Sequence, residues 1–100
     1  MLTRGFRTHD LLRKHYYAHN SDTRFASSDA YLRRADEFLG GPLAADGAEC
    51  RRSGGALVRY TESTGEFGVL HADGYIATFY ILTGPVERRR QYFEDNCLKP

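Results

Sequence analysis

The chain has 100 residues, 41% of them hydrophobic, which is enough for one small domain and too few for two. With 27% charged residues, 10 glycines and 3 prolines, the composition is neither disordered nor fibrous. A net charge of +1 gives no global signal for nucleic acid, no window reaches the roughly 18 apolar residues of a membrane span, and residues 1–6 lack the apolar run of a signal peptide.

The charge is unevenly spread. Residues 1–24 carry five basic side chains against two acidic ones, together with His9, His15 and His19. Residues 25–50 reverse the balance, with Arg33 and Arg34 against five carboxylates. Residues 1–8 read as a linker ahead of a single domain. Thr8 or Asp10 can cap a first helix that runs to about His19, where Asn20-Ser21-Asp22-Thr23 ends it. Ser27 or Ser28 caps a second helix, with Tyr31, Ala35, Phe38 and Leu39 on one face. Gly40-Gly41-Pro42 stops that helix.

The back half predicts an antiparallel meander. A short strand near Glu49–Arg52 turns at Ser53-Gly54-Gly55 into Ala56–Tyr60. Glu62-Ser63-Thr64-Gly65 leads into Glu66–His71, and Asp73-Gly74 signals a hairpin into Tyr75–Leu82. Simple alternation places Tyr75, Ala77, Phe79 and Ile81 on one face of the last strand and Ile76, Thr78 and Tyr80 on the other. The tail Val86–Cys97 carries Tyr92 and Phe93, which can dock a short helix on the sheet. The fold class expected is α+β, with N-terminal helices packed on a small, curved antiparallel sheet. Cys50 and Cys97 read either as one disulfide or as two buried thiols, and their positions leave both open.

Three groupings could carry chemistry. His15 and His19 are i, i+4 neighbours, so a helix puts both imidazoles on one face, where they can serve as base and acid; Lys14 stands beside them. The plainer reading is a partly exposed histidine pair on a basic helix. A zinc protease motif would need Glu directly after the first histidine, where this chain has Tyr16, and no Cys/His finger spacing is present. Arg59-Tyr60 on a strand could clamp a phosphate, or be an ordinary surface arginine beside a core aromatic. Thr78 and Tyr80 offer hydroxyl donors and a ring for base stacking, or simply fill a strand. Arg88-Arg89-Arg90 could contact an RNA backbone or form a solvated tail. No phosphate loop, dinucleotide fingerprint, nucleophile elbow or carboxylate cluster appears. No metal site and no cofactor are therefore expected, and His, Arg, Thr and Tyr are left to act on a substrate with its own nucleophile. The 2′-hydroxyl of RNA is such a nucleophile.

The ordered set Lys14-His15-x-x-x-His19, Phe25, Asp29-Ala30-Tyr31, Ala35-Asp36-x-Phe38-Leu39-Gly40-Gly41-Pro42 opens a longer pattern. It continues with Glu49-Cys50-x-Arg52, Val58-Arg59-Tyr60, Glu66-Phe67-Gly68-Val69, Asp73-Gly74-x-Ile76-x-Thr78-Phe79 and Tyr92-Phe93. Over residues 9–97 this resembles the C-terminal RNase domains of bacterial polymorphic toxins, the colicin D-like branch of the barnase/EndoU/colicin/RelE-like nucleases. The resemblance implies a metal-independent endoribonuclease, often a tRNase, leaving a 2′,3′-cyclic phosphate and a 5′-hydroxyl. It implies a cognate immunity protein as partner, and delivery into a target-cell cytoplasm as the C-terminal part of a larger effector. Carried over by motif, the catalytic residues would be His19, with His15 as its neighbour, Arg59 and Thr78; the reading of the last strand adds Tyr80. Lys14, Tyr60, Arg88 and Arg89 would help to bind substrate. The chain departs from its relatives after His19, where Asn20 to Arg24 stand in place of a glycine and a short path to the following Phe. Two other readings stay open: an rRNA-directed nuclease of related fold, and a non-catalytic RNA- or protein-binding module.

Overall fold

A computed structural model describes residues 1–19 and 24–100. Three helices, α1 (His9–His19), α2 (Ser28–Gly40) and α3 (Val86–Cys97), accompany four strands, β1 (Gly47–Arg51), β2 (Leu57–Thr61), β3 (Glu66–Leu70) and β4 (Ile76–Ile81). The arrangement is α+β, with α1 and α2 ahead of the sheet in the chain. The turn expected over Asn20–Thr23 lies outside the described residues. Of the two caps proposed for α1, Thr8 is used: its hydroxyl accepts from the Leu11 N–H at 3.1 Å. Ser27 caps α2 by accepting from the Ala30 N–H, also at 3.1 Å.

The strands pair in chain order, all antiparallel, so β1 and β4 are the edges of an open sheet. Each face has its own apolar layer. One layer joins Leu12, Tyr31, Ala35, Phe38 and Leu39 of the first two helices to Ile76 and Phe79. The Tyr31 hydroxyl, at the centre of this layer, donates to the Phe79 carbonyl. Gly68 lets α2 come close, because a Cβ there would meet the Leu39 side chain at 3.1 Å. The other layer joins Val58, Tyr60, Phe67 and Val69 to Phe93 of α3.

A bulge changes the faces expected for β4. Val69 pairs with Thr78 but Leu70 pairs with Ile76, so Ala77 is the extra residue. Ile76 therefore joins Phe79 and Ile81 on the α1–α2 face, while Ala77 and Tyr80 lie on the α3 face. Simple alternation had put Ile76 with Tyr80 and Ala77 with Phe79, and both placements are corrected here. Thr78, opposite Val69, shares the α3 face with Tyr80.

Residues 1–8, read from the sequence as a linker, pack into the domain. The backbone N–H groups of Leu2 and Thr3 and the Thr3 hydroxyl all donate to the buried Asp36 carboxylate. Arg4 N–H donates to the Gly74 carbonyl and Ile76 N–H to that of Gly5, and Phe6 enters the core. Cys50 and Cys97 form a disulfide that ties the end of β1 to the end of α3. No helix among the described residues is long and apolar enough to cross a membrane.

Candidate active site

α1 packs against both α2 and β4. Its Leu12 anchors in the core, which carries His15 and His19, on the following turns, to the β4 edge. The imidazole centroids are 5.6 Å apart. His15 stacks on Phe6 at 5.1 Å, with its Nδ1 3.5 Å from the Thr78 hydroxyl. His19 stacks on the Tyr80 ring at 4.6 Å. The hydroxyls of Tyr80 and Tyr92 hydrogen-bond each other, and both rings rest on Phe67, at 5.2 and 5.1 Å. Two imidazoles, a threonine hydroxyl and two phenols thus meet where α1, β4 and α3 converge.

The environment sets the protonation states. Burial, followed by the nearby charges of His19 and Lys14, holds His15 below the ordinary histidine range. Burial does the same to His19. Both imidazoles are therefore neutral at pH 7, as a general base must be. Burial and the Tyr92 hydroxyl push the Tyr80 phenol up, against the pull of the Arg52 charge. Tyr80 thus remains a proton donor throughout the neutral range.

The remaining sequence candidates divide. Arg59 is not in this group. Its cross-strand partners are Glu49 and Gly68, and Gly68 in turn faces Phe79, so the column projects toward α2. There the guanidinium donates to the Phe38 and Gly41 carbonyls at 3.1 and 2.6 Å and pairs with Glu49 at 2.7 Å. It closes the C-terminal end of α2, on the sheet face opposite Thr78 and Tyr80. Tyr60 lies on the same face as Tyr80, but it is buried under α3, stacked on Phe93, with its hydroxyl unpartnered among the described residues. Arg89 reaches the Glu62 carbonyl, and Arg90 pairs with the Glu62 carboxylate. Arg88 is exposed and stands one turn before Tyr92, on the same helix stripe. Lys14 is exposed beside His15.

Two contributors were not nominated from the sequence. In the sequence Tyr92 shows only as a docking aromatic, because its partner Tyr80 is twelve residues away in another element. Arg52 donates to the backbone carbonyl and side-chain oxygen of Asn96, at 2.8 and 3.1 Å, and Asn96 in turn donates to the Tyr92 carbonyl. Among the described residues, no group of three or more His, Cys, Asp or Glu is placed to hold a metal ion. No protein-family model matches the chain, and no curated protein sequence matches it significantly.

Proposed function

We propose that the chain is a metal-independent endoribonuclease that cuts by attack of the RNA 2′-hydroxyl on the adjacent phosphate. The observation that carries this reading is the meeting of two neutral imidazoles with the hydroxyls of Thr78 and Tyr80 on one surface. His19 takes the 2′-hydroxyl proton as the bond from O2′ to phosphorus forms. His15, held between Phe6 and Thr78, keeps its neighbour oriented. Thr78 donates to a phosphoryl oxygen as its charge grows. Tyr80, kept protonated and backed by Tyr92, hands a proton to the leaving 5′-oxygen as its bond to phosphorus breaks. The products are a 2′,3′-cyclic phosphate and a 5′-hydroxyl, and His19 later returns its proton through solvent to restore Tyr80.

The sequence resemblance supports tRNA as the substrate, an immunity protein that covers this surface as the partner, and action in a target-cell cytoplasm after delivery on a larger effector. Arg59, spent on the end of α2, has no part in the step as proposed. The test is to incubate the purified domain with total bacterial RNA in EDTA, with His19→Ala alongside, on a denaturing gel. A discrete tRNA-sized cut made only by the unsubstituted domain is the expected result. Intact RNA, even with host extract added, would favour a binding module, and cut rRNA would move the substrate to the ribosome.

A further inference from the structure

A half-open cavity of about 420 Å³ is lined by Arg7, Arg52, Ala56, His71 and Asp73 among others. Its basic side chains come from three separate segments: Arg7 before α1, Arg52 after β1 and His71 in the β3–β4 turn. Two features set Arg52 in place. Its Nε and one Nη are committed to Asn96, which is itself buried and bonded to Tyr92. The disulfide then rivets the same junction, since Cys50 lies two residues before Arg52 and Cys97 directly follows Asn96. A guanidinium fixed along one edge has its ordering entropy already spent, and its remaining Nη–H groups are preorganised for an anion.

The rim adds to this charge. Asp73 is neutralised by Arg7 at 2.6 Å. Arg4 and Arg7 each lie 4.3 Å from the Tyr75 ring centroid, so the ring carries two guanidiniums. Because Arg7 is spent on Asp73, the cavity's net positive charge comes from Arg52, held by the uncharged Asn96, with Arg4 beside it on the Tyr75 ring. Arg52 is linked to the candidate active site through Asn96, whose amide donates to the Tyr92 carbonyl.

We propose that this cavity is a phosphate-binding subsite, with Arg52 as its anchor and Arg7 and His71 on its rim, which takes a backbone phosphodiester of the RNA strand next to the one being cut. The proposal rests on the endoribonuclease reading for the identity of the strand, but the anion site can be tested without cleavage. The probe is a fluorescently labelled 2′-O-methyl RNA oligonucleotide, which lacks the attacking hydroxyl, followed by anisotropy over a range of salt. Arg52→Gln is expected to weaken binding about tenfold and to lower the salt slope by about one. Arg7→Gln, at an exposed position, is expected to weaken it less and in the same sense. It also keeps the test decisive if Arg52→Gln melts early. Arg51→Gln is the control, since that side chain binds the Gly55 carbonyl.

Equal affinity and equal salt slope for Arg52→Gln, Arg7→Gln and the unsubstituted domain would overturn the proposal. So would loss of binding to a polyglutamate peptide with oligonucleotide binding unchanged, which would reassign the surface to an acidic protein. The same preparations, given RNA with free 2′-hydroxyls, separate the two ideas. Arg52-dependent binding without cutting keeps the subsite and removes the nuclease. Cutting with unaltered binding in Arg52→Gln does the reverse.

Discussion

At the residue scale the central feature is a pair of imidazoles made neutral by their surroundings. Burial holds His15 and His19 below 6.5, so the folded chain binds fewer protons than the unfolded chain as pH falls through that value. Stability therefore begins to fall near pH 6.5, and the loss levels off once the folded-state imidazoles also protonate. Denaturant midpoints measured from pH 7.5 to 5 should show this slope, and His15→Gln/His19→Gln should flatten it. Asp36, whose burial is outweighed by its donors together, and Asp46, Glu62 and Asp73, held low by theirs, lose their contribution separately, as pH falls below the ordinary carboxylate values. Tyr80→Phe removes a donor to the transition state and keeps the ring that stacks on His19. Its cleavage rate should drop about 10²-fold with the melting temperature little changed, as single-turnover kinetics and thermal melts would show. The helical spacing of His15 and His19 was legible in the sequence because i, i+4 is a local rule. The position of Arg59 was not, because strand register decides which face a side chain takes.

At the element scale the chain announces its own punctuation. Thr8, Ser27, Gly41 and the Asp73-Gly74 turn act where local rules put them, and every strand lies within about two residues of its expected bounds. The β4 bulge escaped those rules. One extra residue, Ala77, moves Ile76 into the α1–α2 core and keeps Thr78 beside His15, and nothing in Ile76-Ala77-Thr78 marks it. Arg59 shows how an element can absorb a candidate residue. Arg59→Ala leaves the Phe38 and Gly41 carbonyls without their donor, and should cost about 2 kcal/mol, discounted for the half-exposed Glu49. The melting temperature should fall accordingly while the folded protein still cuts RNA at its usual rate. A collapse of cleavage at full stability would return Arg59 to the active site.

At the scale of the whole molecule, α3 and the first two helices clasp the sheet from opposite faces, and the candidate site lies where His19 of α1 and Tyr92 of α3 both reach Tyr80 of β4. The Cys50–Cys97 bond closes a loop of 47 residues and holds α3 to β1, a link worth about 4 kcal/mol on the chain-entropy model. Reduction should lower the denaturant midpoint by an amount of that order while β-sheet signals persist; an unchanged midpoint would mean the thiols contribute only by packing. The sequence left this pairing open because two cysteines far apart in the chain carry no local signal, whereas the fold brings their Cα atoms to 6.0 Å. Under the delivery route proposed above, this bond would form in an oxidising compartment. The most direct test of the proposed chemistry is the nature of the new RNA ends. Fragments made in EDTA should carry 5′-hydroxyls, accepting labelled phosphate from polynucleotide kinase without prior phosphatase treatment, and 2′,3′-cyclic phosphates at the other end. Fragments that label only after phosphatase treatment would carry 5′-phosphates, and would contradict attack by the 2′-hydroxyl at the His19–Tyr80 surface.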